Sequence, residues 1–255
     1  MTIKKRVKNL IENITYTYIL RGFPRGVNVI HDIKKYLPRY RGNVIFDVGA
    51  NIGQLAEYFL RYFSESQVYC FEPIMSTFND LYNNFGNKGN VHCFHLALGA
   101  FNGKGRMVLK GSSDKFFLSS QPEELFKHNN ADIEVVDIER LDDFCRLKDI
   151  KQINYLKIDT EGHDLEVLKG AQLMLNQSRI ELIELEAGMN YKNSRHVPLE
   201  DLKRFLEASG YLIFGIYDQV QEWPTGEPHL RRVNPVFISQ GLVEANKQSE
   251  VALHG

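Results

Sequence analysis

Three places in this chain put carboxylates where an apolar run stops. There, carboxylates can hold a cationic group, accept hydroxyl protons or serve as general bases. The first is Asp47, inside VIFDVGANIG at Val44–Gly53. Its spacing, D-x-G-x-N-x-G, is neither the G-x-G-x-x-G of dinucleotide folds nor the G-x-x-x-x-G-K-[ST] of phosphate loops. An acidic residue in such a loop repels a pyrophosphate and suits a cofactor with a cationic end. S-adenosylmethionine, with an ammonium, a sulfonium and no phosphate, meets that description. The second is Glu72, between the run Val68–Phe71 and Pro73, where nucleotide-binding folds hold a ribose diol. The third is Asp159-Thr160-Glu161-Gly162-His163. Asp159 and Glu161 are its candidate acceptor-side carboxylates, Asp159 being a candidate cofactor-binding residue as well, and His163 is a candidate base titrating near neutrality. Plainer readings stand beside these: Asp47 as a turn or helix-capping residue, and His163 as a first-turn histidine bonded to solvent or backbone.

The surrounding elements are of the kind that position such groups. Val44, Ile45, Phe46 and Val48 read as a buried strand, and Gly49, Ala50, Asn51 and Gly53 as a small-residue turn. Leu55, Tyr58, Phe59 and Tyr62 give the next helix its apolar stripe. Strand, glycine turn and helix is a geometry in which backbone N–H groups face a ligand. A helix at Ser76–Asn84, a strand at Val91–Leu96 and Ala97-Leu98-Gly99 follow. Arg106–Lys110 and Ile133–Ile138 are short, alternating and β-branched, which predicts an inserted antiparallel pair. The stretch Gly111–Asn130 between them reads as a lid. Further on come a short helix Leu141–Leu147, strands Tyr155–Ile158 and Ile180–Leu185, and a helix Asp164–Leu175 between those strands. A proline-started helix Pro198–Ala208 precedes a strand Tyr211–Tyr217, a loop with Trp223, Pro224, His229, Arg231 and Arg232, and an antiparallel strand Pro235–Ser239. This alternation predicts an α/β fold: a Rossmann-like, doubly wound, mostly parallel seven-stranded sheet with a small β insertion.

Bulk properties narrow the class. The chain is long enough for one full domain, placed here at 41–243, with a helical extension at 1–40 and a loose tail at 244–255. The extension carries Ile3, Val7, Leu10, Ile11 and Ile14 on one face, a surface for the main domain or a homodimer partner. A net charge of −1 without a Lys/Arg block argues against nucleic acid. Three scattered cysteines, Cys70, Cys93 and Cys145, form no C-x-x-C and suit a cytoplasmic protein. No apolar run reaches transmembrane length.

DVGANIG, CFEP, LALG, LDDF, YLKIDTEGHDLEVLKGA and IELIELE together resemble the FkbM-type methyltransferases over roughly residues 42–240. The resemblance implies a class I S-adenosylmethionine-dependent fold. On matching positions it implies Gly49, Asn51 and Gly53 at the methionine end of the cofactor, Glu72 at the ribose, and Ala97 and Leu98 beside the adenine. It also implies O-methylation of a hydroxyl on a sugar, a glycan or another small metabolite.

Methyl transfer from a sulfonium is an in-line displacement, so the site must align the acceptor oxygen and exclude water. An alcohol is a poor nucleophile, and a nearby base helps. Asp159, Glu161 and Glu186 as a Mg²⁺ site is the alternative, for a diol or catechol-like acceptor. That spacing matches no ion loop, and no metal is expected. The amino-methylating [DN]-P-P-[YFW] turn is replaced by DTEG. A nicotinamide oxidoreductase has the wrong glycine spacing, and a non-catalytic module would lack the DTEGHD carboxylates.

Overall fold

The computed structural model describes residues 23–109, 117–119 and 132–254. The expected apolar stripe on Ile3 to Ile14 therefore lies outside the described residues. So does the expected lid, apart from the backbone of Phe117–Ser119.

The described part of the extension is built into the domain. Helix α1 (Val29–Tyr36) is capped by Asn28, whose side chain accepts the His31 N–H at 2.8 Å. Ile30, Ile33, Leu37 and Tyr40 are buried with Ile45, Tyr155 and Tyr217. Asp32 ties the entry down, accepting the Gly26 N–H at 2.8 Å and the Tyr217 hydroxyl at 3.0 Å.

Strand β1 (Val44–Val48), helix α2 (Gln54–Leu60), strand β2 (Gln67–Phe71), helix α3 (Met75–Phe85) and strand β3 (Val91–Phe94) follow the predicted alternation. The chain then leaves the main sheet. Strands β4 (Ala97–Leu98), β5 (Gly103–Leu109), β6 (Phe117–Ser119) and β7 (Asp132–Glu139) make a second sheet in the order β4-β7-β5-β6. Its β5–β7 pair is antiparallel, as the two short β-branched runs predicted.

Helix α4 (Leu141–Leu147) returns the chain to strand β8 (Ile153–Ile158). The helix expected over Asp164–Leu175 is two pieces, α5 (Asp164–Gly170) and α6 (Gln172–Asn176), because Ala171 between them has φ −104° and ψ 11°. Strand β9 (Ile180–Glu184), short strand β10 (Ala187–Gly188) and helix α7 (Leu199–Ala208) complete the alternation. The last two strands, β11 (Tyr211–Glu222) and β12 (Glu227–Ser239), are much longer than expected. The expected loop around Trp223 to Arg232 is the far end of their hairpin. The tail expected to be loose continues helix α8 (Gln240–His254).

The main sheet runs β3-β2-β1-β8-β9-β12-β11, with β10 extending the line of β9 along β12. Counted that way it has the seven positions expected. Neighbours from β3 to β9 are parallel, and β12 is antiparallel to both β9 and β11. Apolar side chains cover both faces. Every residue of the central strand β8 is buried, the pattern of a parallel strand with helices on each side.

Candidate active site

A cavity of about 460 Å³ lies at the carboxyl edge of β1, β2 and β8, with Ala97, Leu98 and Met107 of the second sheet as one wall. That is the size of a small-molecule site, and it stands where parallel sheets bind ligands.

Register explains its chemistry. Asp47 pairs with Lys157, and Lys157 pairs with Glu184, on three adjacent strands. Side chains at paired positions point to the same face. Asp47, Lys157 and Glu184 therefore form one buried polar row beneath the cavity. The Lys157 ammonium lies 3.3 Å from Glu184 and 3.7 Å from Asp159. Burial works against its charge, but Glu184, Asp159 and Glu186 outweigh burial and raise its pKa. Glu184 also accepts the Tyr155 hydroxyl and, at 3.1 Å, the Asn234 amide.

Asp47 is nearly inaccessible and its Oδ2 has no hydrogen-bond partner. Burial pushes its carboxyl up to about 7, with Lys157 pulling the other way. A buried acceptor without a donor is costly, and an ammonium entering the cavity would satisfy it. Glu72 accepts the Asn51 N–H at 3.0 Å and the Ile74 N–H at 2.9 Å, one on each oxygen. Burial pushes it to about 7 against those two bonds. Each oxygen keeps a second lone pair for a ribose hydroxyl.

The glycine turn works differently from the expectation. The N–H groups of Gly49 and Ala50 both bond to the Phe71 carbonyl at 3.0 Å, and that of Gly53 to Ala50. These donors brace the loop on β2 and within itself, and the loop presents carboxylates instead. Gly49 has φ +82°, and a Cβ there would be driven into the Asp159 carbonyl oxygen. Its bareness lets the loops after β1 and β8 touch. Gly53, expected at the ligand, is absent from the cavity wall; its missing Cβ makes room for Phe85 and Leu81. Asn51, Ala97 and Leu98 do line the cavity.

At the carboxyl end of β8, Asp159, Thr160, Glu161 and His163 line the wall together. Asp159 donates its N–H to the Val48 carbonyl at 2.9 Å, and burial raises its carboxyl pKa. Glu161 has φ +55°, uncommon for a residue with a Cβ. Gly162 follows at φ +102°, where a Cβ would strike the Arg195 carbonyl. The turn is thus pressed against the Arg195–His196 segment. Asn51 and Asp218 share the left-handed backbone and the cavity wall. Such strain gathers at functional sites. Burial pushes Glu161 up to about 7 against the pairing of Arg195. Burial lowers the His163 pKa, leaving its ring neutral near pH 7.

Glu186 stands behind this wall rather than in it. It pairs with His196 at 2.6 Å and with Arg232. Burial opposes its charge, but His196, Arg232 and Lys157 together hold its pKa below the usual value. Among the described residues, Glu161, Glu186 and His196 bring possible ligand atoms within 4.8 Å of one another, without Asp159. Arg195 already pairs with Glu161 and Arg232 with Glu186, so a divalent ion would compete with two guanidiniums for carboxylates whose charge is balanced. EDTA is therefore expected to leave turnover unchanged; a loss restored by Mg²⁺ would overturn this.

Sequence reading missed Lys157, Glu184, Asn234 and Asp218 at the wall. One signal was present for Lys157, a lone cation in the otherwise apolar run YLKI.

A model of the methyltransferase FkbM domain matches residues 47–213. The chain belongs to the FkbM methyltransferase family. Family membership brings S-adenosylmethionine as the methyl donor, and the unpartnered Asp47 oxygen and the Glu72 carboxylate fit its ammonium and ribose. Individual relatives match only part of this chain. One is Methyltransferase 1 of Beauveria bassiana, 28 % identical over 49 % of this chain and 57 % of its own. Another is the hexuronic acid methyltransferase AglP of Haloferax volcanii, 26 % identical over 59 % of each chain. A third is the 2-O-methyltransferase NoeI of Sinorhizobium fredii, 26 % identical over 53 % of this chain and 60 % of its own. The match thus spans under two thirds of the length of each relative. Among the described residues no helix is long and apolar enough to cross a membrane.

Proposed function

We propose that this FkbM methyltransferase transfers a methyl group from S-adenosylmethionine to a hydroxyl of a sugar, a glycan or a similar small metabolite. The observation that carries the cofactor half is Asp47, a buried carboxylate oxygen with no donor, set in a cavity of suitable size. The bound cofactor supplies an electrophilic methyl on a cationic sulfur. Asp47 receives its ammonium, Glu72 its ribose hydroxyls, and Ala97 and Leu98 flank its adenine.

The acceptor half rests on the opposite wall. Asp159, Glu161 and His163 are the groups able to orient a hydroxyl and take its proton. Glu161, with a pKa of about 7, is the best matched of them to a base working near neutrality. Two relatives whose names specify a hexuronic acid and 2-O-methylation support a sugar hydroxyl as the acceptor.

Calorimetric titration tests the first half. S-adenosylhomocysteine is expected to bind at micromolar concentration, and NADH, run in parallel, is expected to give no heat. NADH binding alone would mean the Asp47–Gly53 loop has been misassigned and would remove the enzyme reading. Methyl transfer to a set of monosaccharides tests the second half.

A further inference from the structure

The β11–β12 hairpin does more than close the sheet. β9 ends at Glu184, and Glu184 lies opposite Val236 of β12. Everything in β12 before that point, and everything in β11 after Tyr217, therefore projects past the carboxyl edge of β9. Asp218 and Asn234, at the base of this projection, line the cavity. Trp223 sits at its turn, directly after β11 ends at Glu222 and five residues beyond Asp218.

The segment after β10 is laced to the same turn. Asn190 donates to the Glu222 carboxylate at 3.3 Å and to the Leu230 carbonyl at 2.9 Å. Lys192 pairs with Glu227 at 3.1 Å. These two ties bracket the Trp223–Gly226 turn and fix the backbone on either side of Tyr191 against the hairpin. Tyr191 is 93 % exposed and Trp223 72 % exposed. Two rings left open to water, on backbone fixed by hydrogen bonds and an ion pair, are unexplained by the core. The same segment continues into Arg195 and His196, which press on the Glu161 turn. The segment carrying Tyr191, tied to the turn of Trp223, thus leads directly to the wall at Glu161.

We propose that Tyr191 and Trp223 form an outer subsite that stacks sugar rings of an oligosaccharide acceptor, beyond the residue being methylated. This rests on the reading of the acceptor as a sugar. A sugar ring presents an apolar C–H face and a rim of hydroxyls. The two aromatic faces match the first, and the polar side chains of Gln221, Thr225 and His229 on the same hairpin as Trp223 match the second.

Trp223 is the chain's single tryptophan, so its fluorescence reports this place alone. The full chain, saturated with S-adenosylhomocysteine, would be titrated with tetragalacturonate, cellotetraose and the corresponding monosaccharides. The expected result is a saturable shift of Trp223 emission with at least one tetrasaccharide, about tenfold tighter than with its monosaccharide. Tyr191→Ala is expected to remove that difference. Emission unmoved by both tetrasaccharides overturns the subsite. So does a shift that follows protein concentration alone with a rise in mass by light scattering, which would make the face a self-association surface. Binding of S-adenosylhomocysteine and methylation of monosaccharides are measured separately, so the subsite can fail while the transferase reading stands, and the reverse.

Discussion

Lys157→Met is expected to lower the stability of the domain by about 3–5 kcal/mol, the usual cost of stripping one partner from a buried ion pair. On a chain of this size that is a fall in Tm of roughly 6–20 °C. The ammonium is 7 % exposed and lies between Glu184 and Asp159. Methionine fills its length but leaves both carboxylates, and Asp47 beside them, without a cation. The deficit should depend on pH in a defined direction. Asp47 is held at about 7 in the folded chain, above the usual value of about 4. A carboxyl raised by folding contributes stability that is full below its unfolded pKa and lost as pH rises through the folded one. Lys157 opposes the rise of both Asp47 and Asp159, so its removal widens that loss. Thermal unfolding should therefore show a smaller deficit at pH 5 than at pH 8. Adding Glu184→Gln should recover part of the stability. Equal Tm values for parent and variant at pH 8 would mean the row contributes nothing to the fold.

Why this row escaped the sequence is instructive. Asp47, Lys157 and Glu184 are far apart along the chain, and each alone reads as a polar residue near the end of an apolar run. Only the register of three parallel strands places them side by side. Elements whose signal is local were legible: the apolar runs of β1, β2 and β8, the D-x-G-x-N-x-G turn, and the antiparallel pair inserted through β5 and β7. The antiparallel entry of β12 was also legible, since no helix precedes it to cross the sheet. The outer half of the β11–β12 hairpin was not. There, past the end of β9, most positions are exposed or half-buried without strict alternation, and QVQEWPTGEPHLRR reads as a loop.

The turn after β1 shows a different limit. Its glycines mark close backbone approach without saying to what. Gly49 makes room for the Asp159 carbonyl and Gly53 for the Phe85 ring. A fingerprint glycine can thus belong to packing even in a loop whose neighbours, Asp47 and Asn51, face the cavity. Carboxylates at strand ends transfer better from sequence to site. Asp47, Glu72, Asp159 and Glu161 all line one cavity. Glu186 does not, because the chain turns away into β10 and His196 and Arg232 capture it.

Glu161→Gln is expected to cut turnover by about 10²–10⁴-fold, the range of a lost general base, while leaving S-adenosylhomocysteine affinity unchanged. Glutamine keeps the shape and can still accept a hydrogen bond from Arg195, so the Gly162 turn should hold and the Tm should barely move. The proposed cofactor half of the cavity, on Asp47 and Glu72, lies on other strand ends and is untouched by the change. Glu161 is pushed to about 7 by burial, with Arg195 limiting the rise. As a base it works only when ionised, so parent kcat/KM should climb with pH and level off above about 7. That acid limb should vanish in the variant's residual activity. Arg195→Met offers an independent check: losing the guanidinium removes the interaction that lowers the Glu161 pKa, and the limb should move to higher pH. Unchanged turnover in Glu161→Gln would take this residue out of the chemistry and pass the role of base to Asp159 or His163. His163, neutral near pH 7 because burial lowers its pKa, would then place the acid limb below 6.5 instead.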